Sequence, residues 1–479
     1  MNIPDKPARA AVLVFLCVFA FLWWTSAAHL SLDYNDEGIY FDGALRMLHG
    51  QMPYRDFFAL AGPGTFAIIA GALRMFGISL AAARATVVFD IALMAACLFW
   101  MVWNLSGRLA AIPTTIAFVA FDTAGPTTVV VNHRWDSAAW AILATTLIFA
   151  AIPSPKKERA GMLPIALAGF AAGIAAWCTP NVALVAVALA LCIRKRLAPF
   201  AAGIALAMVP GTLWLASRGA LRPMLDSLLW SAANYSGPNR TPYAWVNGGY
   251  APLFQGSSGV QAVVIFAVMI FFTLPATLPF VSAIWIAKRP EIRIVVLLSS
   301  GAALLLSTYP RWDLMHLTQI AAPFYALTAA LVAGSRVRVP IALATLMIAL
   351  TYLSTPIKQR MGEVSRATSL GRLHGDPADF ELLREIQSRV ARSDSLFVFP
   401  YRPSLYFMTG ARNPTRYSFL QPGMFPEKDE WTALSELQAD PPVWVYYTDL
   451  PESAYLRIWP SSNRARLRLR HIEDFLKEN

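Results

Sequence analysis

Eleven apolar runs follow one another along the first three-quarters of this chain, at 11–30, 85–103, 109–124, 137–152, 162–178, 181–193, 197–216, 260–287, 292–309, 314–333 and 339–354. A bilayer core requires about 20 apolar residues per helix, with roughly 17–25 tolerated. Inside it, only structures that satisfy every backbone group internally survive. The chain is therefore restricted to a polytopic α-helical membrane bundle of about eleven spans, some of them short, 181–193 above all. Charged residues make up 14% of the sequence, against about 25% in soluble domains, which agrees. The first run sits where a secretory signal would, but it is long and no A-x-A cleavage site follows. It is read as a retained helix.

The net charge of +11 raises the question of nucleic acid, and its placement answers it. With Lys6 and Arg9 cytoplasmic, alternate gaps carry Arg108, then Lys156, Lys157 and Arg159. The next carry Arg194, Lys195 and Arg196, then Lys288, Arg289 and Arg293, and finally Arg336 and Arg338. Short basic gaps of this kind orient membrane proteins. In this register the segments 31–84, 122–136, 217–259 and 310–313 lie outside, and so does everything after 354. The expected localisation is the inner (plasma) membrane, multi-pass, with a cytoplasmic N-terminus.

Composition changes at the end of the last run, dividing the chain into a membrane domain, 1–354, and an extracytoplasmic domain, 355–479. The latter holds sixteen of the 29 acidic residues. FELLREIQSRV (380–390) has helical periodicity, while SLFVFP (395–400) and PPVWVYYT (441–448) read as buried strands, giving a small α/β domain. The alternation Arg464, Arg466, Arg468, Arg470 would place four guanidinium groups on one strand face. A solvated edge is favoured there over contact with anionic lipid headgroups. Cys17, Cys97, Cys178 and Cys192 lie in or beside apolar runs without C-x-x-C spacing, and read as small core hydrophobes. No internal repeat or low-complexity tract is present.

Acidic residues are scarce in the membrane part. Of twelve Asp or Glu between residues 11 and 354, five lie within 31–64: Asp33, Asp36, Glu37, Asp42 and Asp56. Carboxylates gathered at one membrane face suggest chemistry there. A positioned carboxylate can take the proton of an attacking hydroxyl, and Arg or His can neutralise a phosphate leaving group. H-E-x-x-H, a D-x-D of the kind that holds a nucleotide-bound cation, a P-loop and a Gly-rich dinucleotide turn are all absent, which disfavours a cytoplasmic nucleotide-sugar donor. No metal ligand set is assigned, although His29, His133 and His316 all fall near the outer face.

The pattern D-Y-N-D-E-G-I-Y…A-L-R-M-L-H-G-Q-M-P-Y-R-D-F-F…G-P-G…F-G…A-A-A-R resembles the first external loop of GT-C glycosyltransferases. The branch it is most similar to contains protein O-mannosyltransferases and lipid A aminoarabinose transferases. The likeness is specific over residues 30–90 and only topological elsewhere. It implies transfer of a sugar, with inversion, from a polyprenyl-phosphate donor to a hydroxyl acceptor outside the membrane. It also implies that Asp36 is the catalytic base, with Glu37 beside it. Candidates for the donor phosphate are Arg311 and His316 in YPRWDLMHL, Arg134 with His133 in NHRWD, and Arg84. Arg311 and His316 converge only if a helix begins near Asp313.

The remaining residues divide between roles. Tyr54 and Asp56, with Arg55, are favoured as supports of the loop's own fold and kept as acceptor-side candidates. Tyr243 and Trp245, with Trp230, Tyr235 and Tyr250, stand equally as sugar-stacking groups or an interfacial aromatic belt. Asp33 and Asp42 are expected to be solvated or paired, and Asp90, inside a span, paired with an Arg. The sugar could be mannose, arabinose, aminoarabinose or galacturonic acid, and the acceptor a cell-envelope glycan, lipid or protein. A transporter or lipid flippase is the competing class, disfavoured because the acids sit at one face and no repeat is visible. An O-antigen ligase or polymerase competes within enzymes, disfavoured because the acidic loop comes first in the chain.

Overall fold

The computed structural model describes residues 6–32, 36–123, 129–152, 161–245, 254–267, 269 and 291–478. Within them the apolar runs are helices. The first, Lys6–Leu22, continues into a wider π-type turn, Trp23–Ala27. Then come Leu80–Ser106, Arg108–Thr123, His133–Ala151, Met162–Cys178, Ala183–Cys192 and Leu197–Ser217. Ile292–Ser307 and Arg338–Gly362 account for two of the later runs. The run 314–333 is split into Leu314–Gln319 and Ala322–Ala333. Most of the run 260–287, the basic gap at 156–159, Lys288, Arg289, Asp33 and Tyr250 lie outside the described residues.

Four described helices are long and apolar enough to cross a membrane: Lys6–Ala27, Leu80–Ser106, Leu197–Ser217 and Arg338–Gly362. Five further apolar helices are shorter. Burial separates centre from rim. The most apolar window of Leu80–Ser106 is 67% buried, that of Arg338–Gly362 only 11%. Leu206, Leu213, Leu343 and Met347 on rim helices are exposed, as side chains facing lipid would be.

The segment between the first helix and Leu80 is folded. Asp36–Leu48 and Pro63–Phe76 are helices, joined through a turn in which Tyr54 takes a φ of +69°. After the last membrane helix, β2 (Val364–Thr368) and β3 (Gly371–Gly375) form an antiparallel hairpin. Its inner strand pairs in parallel with β1, His29–Leu30, in the register His29 to His374. The end of the first helix is thus stitched to the C-terminal part. The helix Pro377–Arg389 matches the periodicity at 380–390. β4 (Leu396–Phe399) and β5 (Trp444–Tyr447) lie where strands were expected and pair in parallel.

Two expectations are corrected. The strand at 444–447 is mostly exposed; only 396–399 is buried throughout. Arg464–Arg470 is not a strand: Asn463 caps a 3₁₀ turn at Arg464–Arg466, and a helix begins at Arg470. Leu467 and Leu469 enter two different apolar clusters, so the Leu/Arg alternation reflects a turn between cores. The compositional change at 354 falls inside the Arg338–Gly362 helix. The C-terminal part also shares a core with the first loop, where Phe58 packs among Phe397, Phe399, Tyr417, Phe419 and Phe425.

Candidate active site

Asp36 opens the helix Asp36–Leu48, where a carboxylate is favoured by unpaired backbone N–H groups and the positive end of the helix dipole. It is exposed. Its Oδ1 accepts a 2.6 Å hydrogen bond from the hydroxyl of Tyr401, 365 residues away. Burial pushes the Tyr401 phenol well up, and the Asp36 charge adds to that, so it stays a proton donor. The helix reaches this position because Gly38 has no side chain: a Cβ there would lie 2.0 Å from the backbone nitrogen of Ser404.

Glu37, the next residue, faces inward. Its carboxylate receives two guanidinium hydrogen bonds from Arg84, at 3.0 and 2.5 Å, and both side chains are fully buried. Arg84 also donates to the carbonyls of Ser26 and His29, and the backbone N–H of Val131 donates to Glu37. This sets both residues inside the protein. Arg84 is committed to Glu37 and two carbonyls rather than to a donor phosphate, and Glu37 has no exposed oxygen to offer an acceptor. Together they bolt the Asp36 helix to Leu80–Ser106.

Within electrostatic reach of Asp36 is Arg311, which has further basic groups beside it. Asp313 is the N-cap of Leu314–Gln319, with Arg311 in the loop before it. Its Oδ2 accepts from Arg311 Nε at 2.6 Å, and its Oδ1 lies 2.6 Å from Nδ1 of His316. Burial alone would raise the Asp313 pKa, but His316 and Arg311 outweigh it and hold the carboxyl well below the usual range. Burial likewise works against the Arg311 charge. Asp313, Tyr235 and Asp36 more than offset it, so the guanidinium stays charged. Arg134, in the first turn of His133–Ala151, is near enough to His316 for their charges to interact. Among the described residues its guanidinium has one long hydrogen bond, 3.4 Å, to Ser307 O.

Aromatic groups close the ring. Tyr40, Tyr235 and Tyr401 all lie within electrostatic range of Asp36 or of one another. His133 packs beside Tyr40, with ring centroids 5.9 Å apart, and Nδ1 is 2.6 Å from Thr179 Oγ1. The strip 241–245 is zipped to 310–314 by Thr241 N to Pro310 O, Ala244 N to Trp312 O and Leu314 N to Trp245 O. That zipper carries Tyr243 and Trp245 to the edge of the cationic loop. Among the described residues, the indole N–H groups of Trp245 and Trp312 are buried there without a hydrogen-bond partner.

Other sequence candidates stay outside this ring. Tyr54 donates its hydroxyl to Ala61 O at 2.6 Å, and Arg416 donates to its carbonyl. Asp56 pairs with Arg55 and accepts from Met52 N. Both are absorbed in the loop's fold rather than offered to an acceptor. Asp42 is paired with Arg46 at 3.0 Å. Asp90 meets Asp136 rather than an Arg, and Asp136 accepts from Thr65 at 2.6 Å. His29 is apart from His133 and His316 and stacks beside His374, 5.7 Å between centroids. An open concavity bounded by Leu105, Ser106, Glu291 and Ala330 is lined by none of the candidate groups. Tyr401, Asp313 and Asn239, whose Oδ1 is 3.5 Å from Arg311 Nη1, were missed as site residues; only the fold brings 401 to Asp36 and 239 to Arg311, while Asp313 pairs with Arg311 two residues away.

No protein-family model matches the chain, and no curated protein matches it in sequence. Solved structures do match in fold. ArnT from Cupriavidus metallidurans bound to undecaprenyl phosphate superposes with a TM-score of 0.56 at 12% identity, over 84% of this chain and 85% of that one. The same protein in the apo state gives 0.53 at 12%, over 85% of each. The archaeal oligosaccharyltransferase AglB from Archaeoglobus fulgidus, in complex with an inhibitory peptide and a dolichol-phosphate, gives 0.50 at 12%. There 95% of this chain covers 65% of the other. These are GT-C glycosyltransferases, and their fold is the fold of this chain.

Proposed function

We propose that, on this GT-C frame, the chain is a membrane glycosyltransferase that moves a sugar from a polyprenyl-phosphate donor to a hydroxyl acceptor. Transfer takes place at the extracytoplasmic face and inverts the anomeric carbon. The observation that carries the reading is an exposed carboxylate, Asp36, within electrostatic reach of Arg311, with His316 and Arg134 in reach of one another beside that guanidinium. The match to a structure of ArnT holding undecaprenyl phosphate supports a lipid-phosphate donor.

The roles follow from the chemistry. Asp36 takes the acceptor hydroxyl proton as its oxygen attacks the anomeric carbon, a general-base contribution of about 10²–10⁴-fold. The bond from that carbon to phosphate breaks on the opposite side, and polyprenyl phosphate leaves with the bonding electrons. Arg311, His316 and Arg134 hold the phosphate and stabilise its growing charge. Asp313 keeps two of the three aimed. Tyr401 fixes the Asp36 carboxylate through one oxygen and leaves the other for the acceptor. Tyr243 and Trp245 supply faces on which a sugar ring can stack.

The test is mass spectrometry of lipids and envelope glycans from cells with and without this protein. The expected result is one glycan or glycolipid losing a single sugar residue, which names sugar and acceptor together. Unchanged glycans with altered solute uptake would replace this reading with transport.

A further inference from the structure

Away from the Asp36 ring, the chain brings two imidazoles and one carboxylate together where its C-terminal part begins. His29, on β1, follows the first helix and its π-type turn, and its register partner is His374 on β3. Glu363 caps the end of Arg338–Gly362. Nδ1 of His29 is 2.8 Å from Glu363 Oε1, and Nδ1 of His374 is 2.6 Å from Oε2. One donor atom from each of the three lies within 4.8 Å of the others. The two histidines are buried, 5% and 4% exposed. Among the described residues, Nε2 of His374 is buried with no hydrogen-bond partner.

We propose that His29, Glu363 and His374 are the protein ligands of a divalent transition-metal site, best matched by Zn²⁺, that pins the first and last long helices to the β2–β3 hairpin. Two imidazoles and a carboxylate are a nitrogen and oxygen donor set suited to zinc, with a fourth position left for water. The plain reading is a carboxylate bridging two imidazole N–H groups. A cation would take one nitrogen from each imidazole and an oxygen of Glu363, and metal bonds hold groups from distant parts of the chain more firmly than two hydrogen bonds do. It also explains why two histidines 345 residues apart in the chain are brought to a single glutamate, with β1 and β3 paired around them.

The surrounding charges are compatible. Arg84 and Arg360 act on these groups, but Arg84 is neutralised by Glu37. Arg360 is half-buried, directed at the Trp24 carbonyl, 3.2 Å, and over the Trp24 ring. The site would act by positioning. The carbonyl of His29 accepts from Arg84, Arg84 holds Glu37, and Glu37 adjoins Asp36. None of the three ligands is hydrogen-bonded to Asp36, Arg134, Arg311 or His316 among the described residues, so metal content and sugar transfer can fail separately.

The test uses the full chain purified in detergent, stripped with a chelator and reloaded with Zn²⁺ or Co²⁺ alone. The expected result is about one zinc per chain by elemental analysis, with a visible Co²⁺ spectrum of tetrahedral intensity and a higher unfolding temperature on reloading. His374→Ala and Glu363→Gln should bind at least about tenfold more weakly. His374→Cys should retain zinc, because a thiolate replaces the imidazole as ligand while the hydrogen-bonded triad is broken. The intact protein taking up neither metal would overturn the proposal without relying on any variant. Zinc bound equally by wild type and His374→Ala would also overturn it.

Discussion

Asp36 and Glu37 are neighbours with opposite fates, and the difference is geometric. One residue of helix rotates a side chain by about 100°, enough to put Asp36 in the open beside Tyr401 and Glu37 wholly inside against Arg84. The pair Glu37–Arg84 is satisfied at both ends, so removing one partner strands a buried charge, at a cost of about 3–5 kcal/mol. Arg84→Met is therefore expected to lower the thermal unfolding midpoint sharply, read by fluorescence-detected melting in detergent. An unchanged midpoint would show that the pair bears no structural weight. The acidic pair was legible in the sequence as special, and Asp313 as the start of a helix, because capping needs only local residues. The split of roles between 36 and 37 was not. It depends on Arg84 arriving from another helix, and nothing within the loop encodes that approach.

Among the elements, the helix Asp36–Leu48 carries the site, held on one side by Arg84 and on the other by the C-terminal part. Arg46 donates to Thr415 O, and Gly38 lies against Pro403 and Ser404. A methyl group at 38 has no room, and overpacking of this kind costs about 1–3 kcal/mol. Gly38→Ala should reduce turnover by moving Asp36 away from the cations, with donor binding less affected. Steady-state kinetics that leave kcat at the wild-type value would contradict this. Most apolar runs were legible as helices, because a period of 3.6 and sheer apolarity are local properties. The break at 320–321, the two helices inside the first loop and the turn at 464–466 were not. Each is decided by what it packs against: Leu467 and Leu469 alternate with arginines as a strand would, yet they serve two separate cores.

At the scale of the whole molecule, the orientation proposed from the basic gaps puts the C-terminal part, which contributes Tyr401 to the candidate site, on the outer side of the membrane. A reporter fused after Asn479 should be active only there, and a cytoplasmic signal would reverse the proposed orientation. The class of the fold was readable from one loop of sequence and from hydropathy. The interlocking of first loop and C-terminal part was not, since the pairings 29–374, 36–401 and 46–415 span most of the chain. The proposed chemistry needs a carboxylate acting as base beside a lipid phosphate. The direct measurement is single-turnover transfer by the purified protein in proteoliposomes with a polyprenyl-phosphate sugar, comparing wild type with Asp36→Asn. A loss of at least about 10²-fold in rate, with donor affinity and protein insertion unchanged, is the predicted result. Wild-type turnover by Asp36→Asn would contradict it.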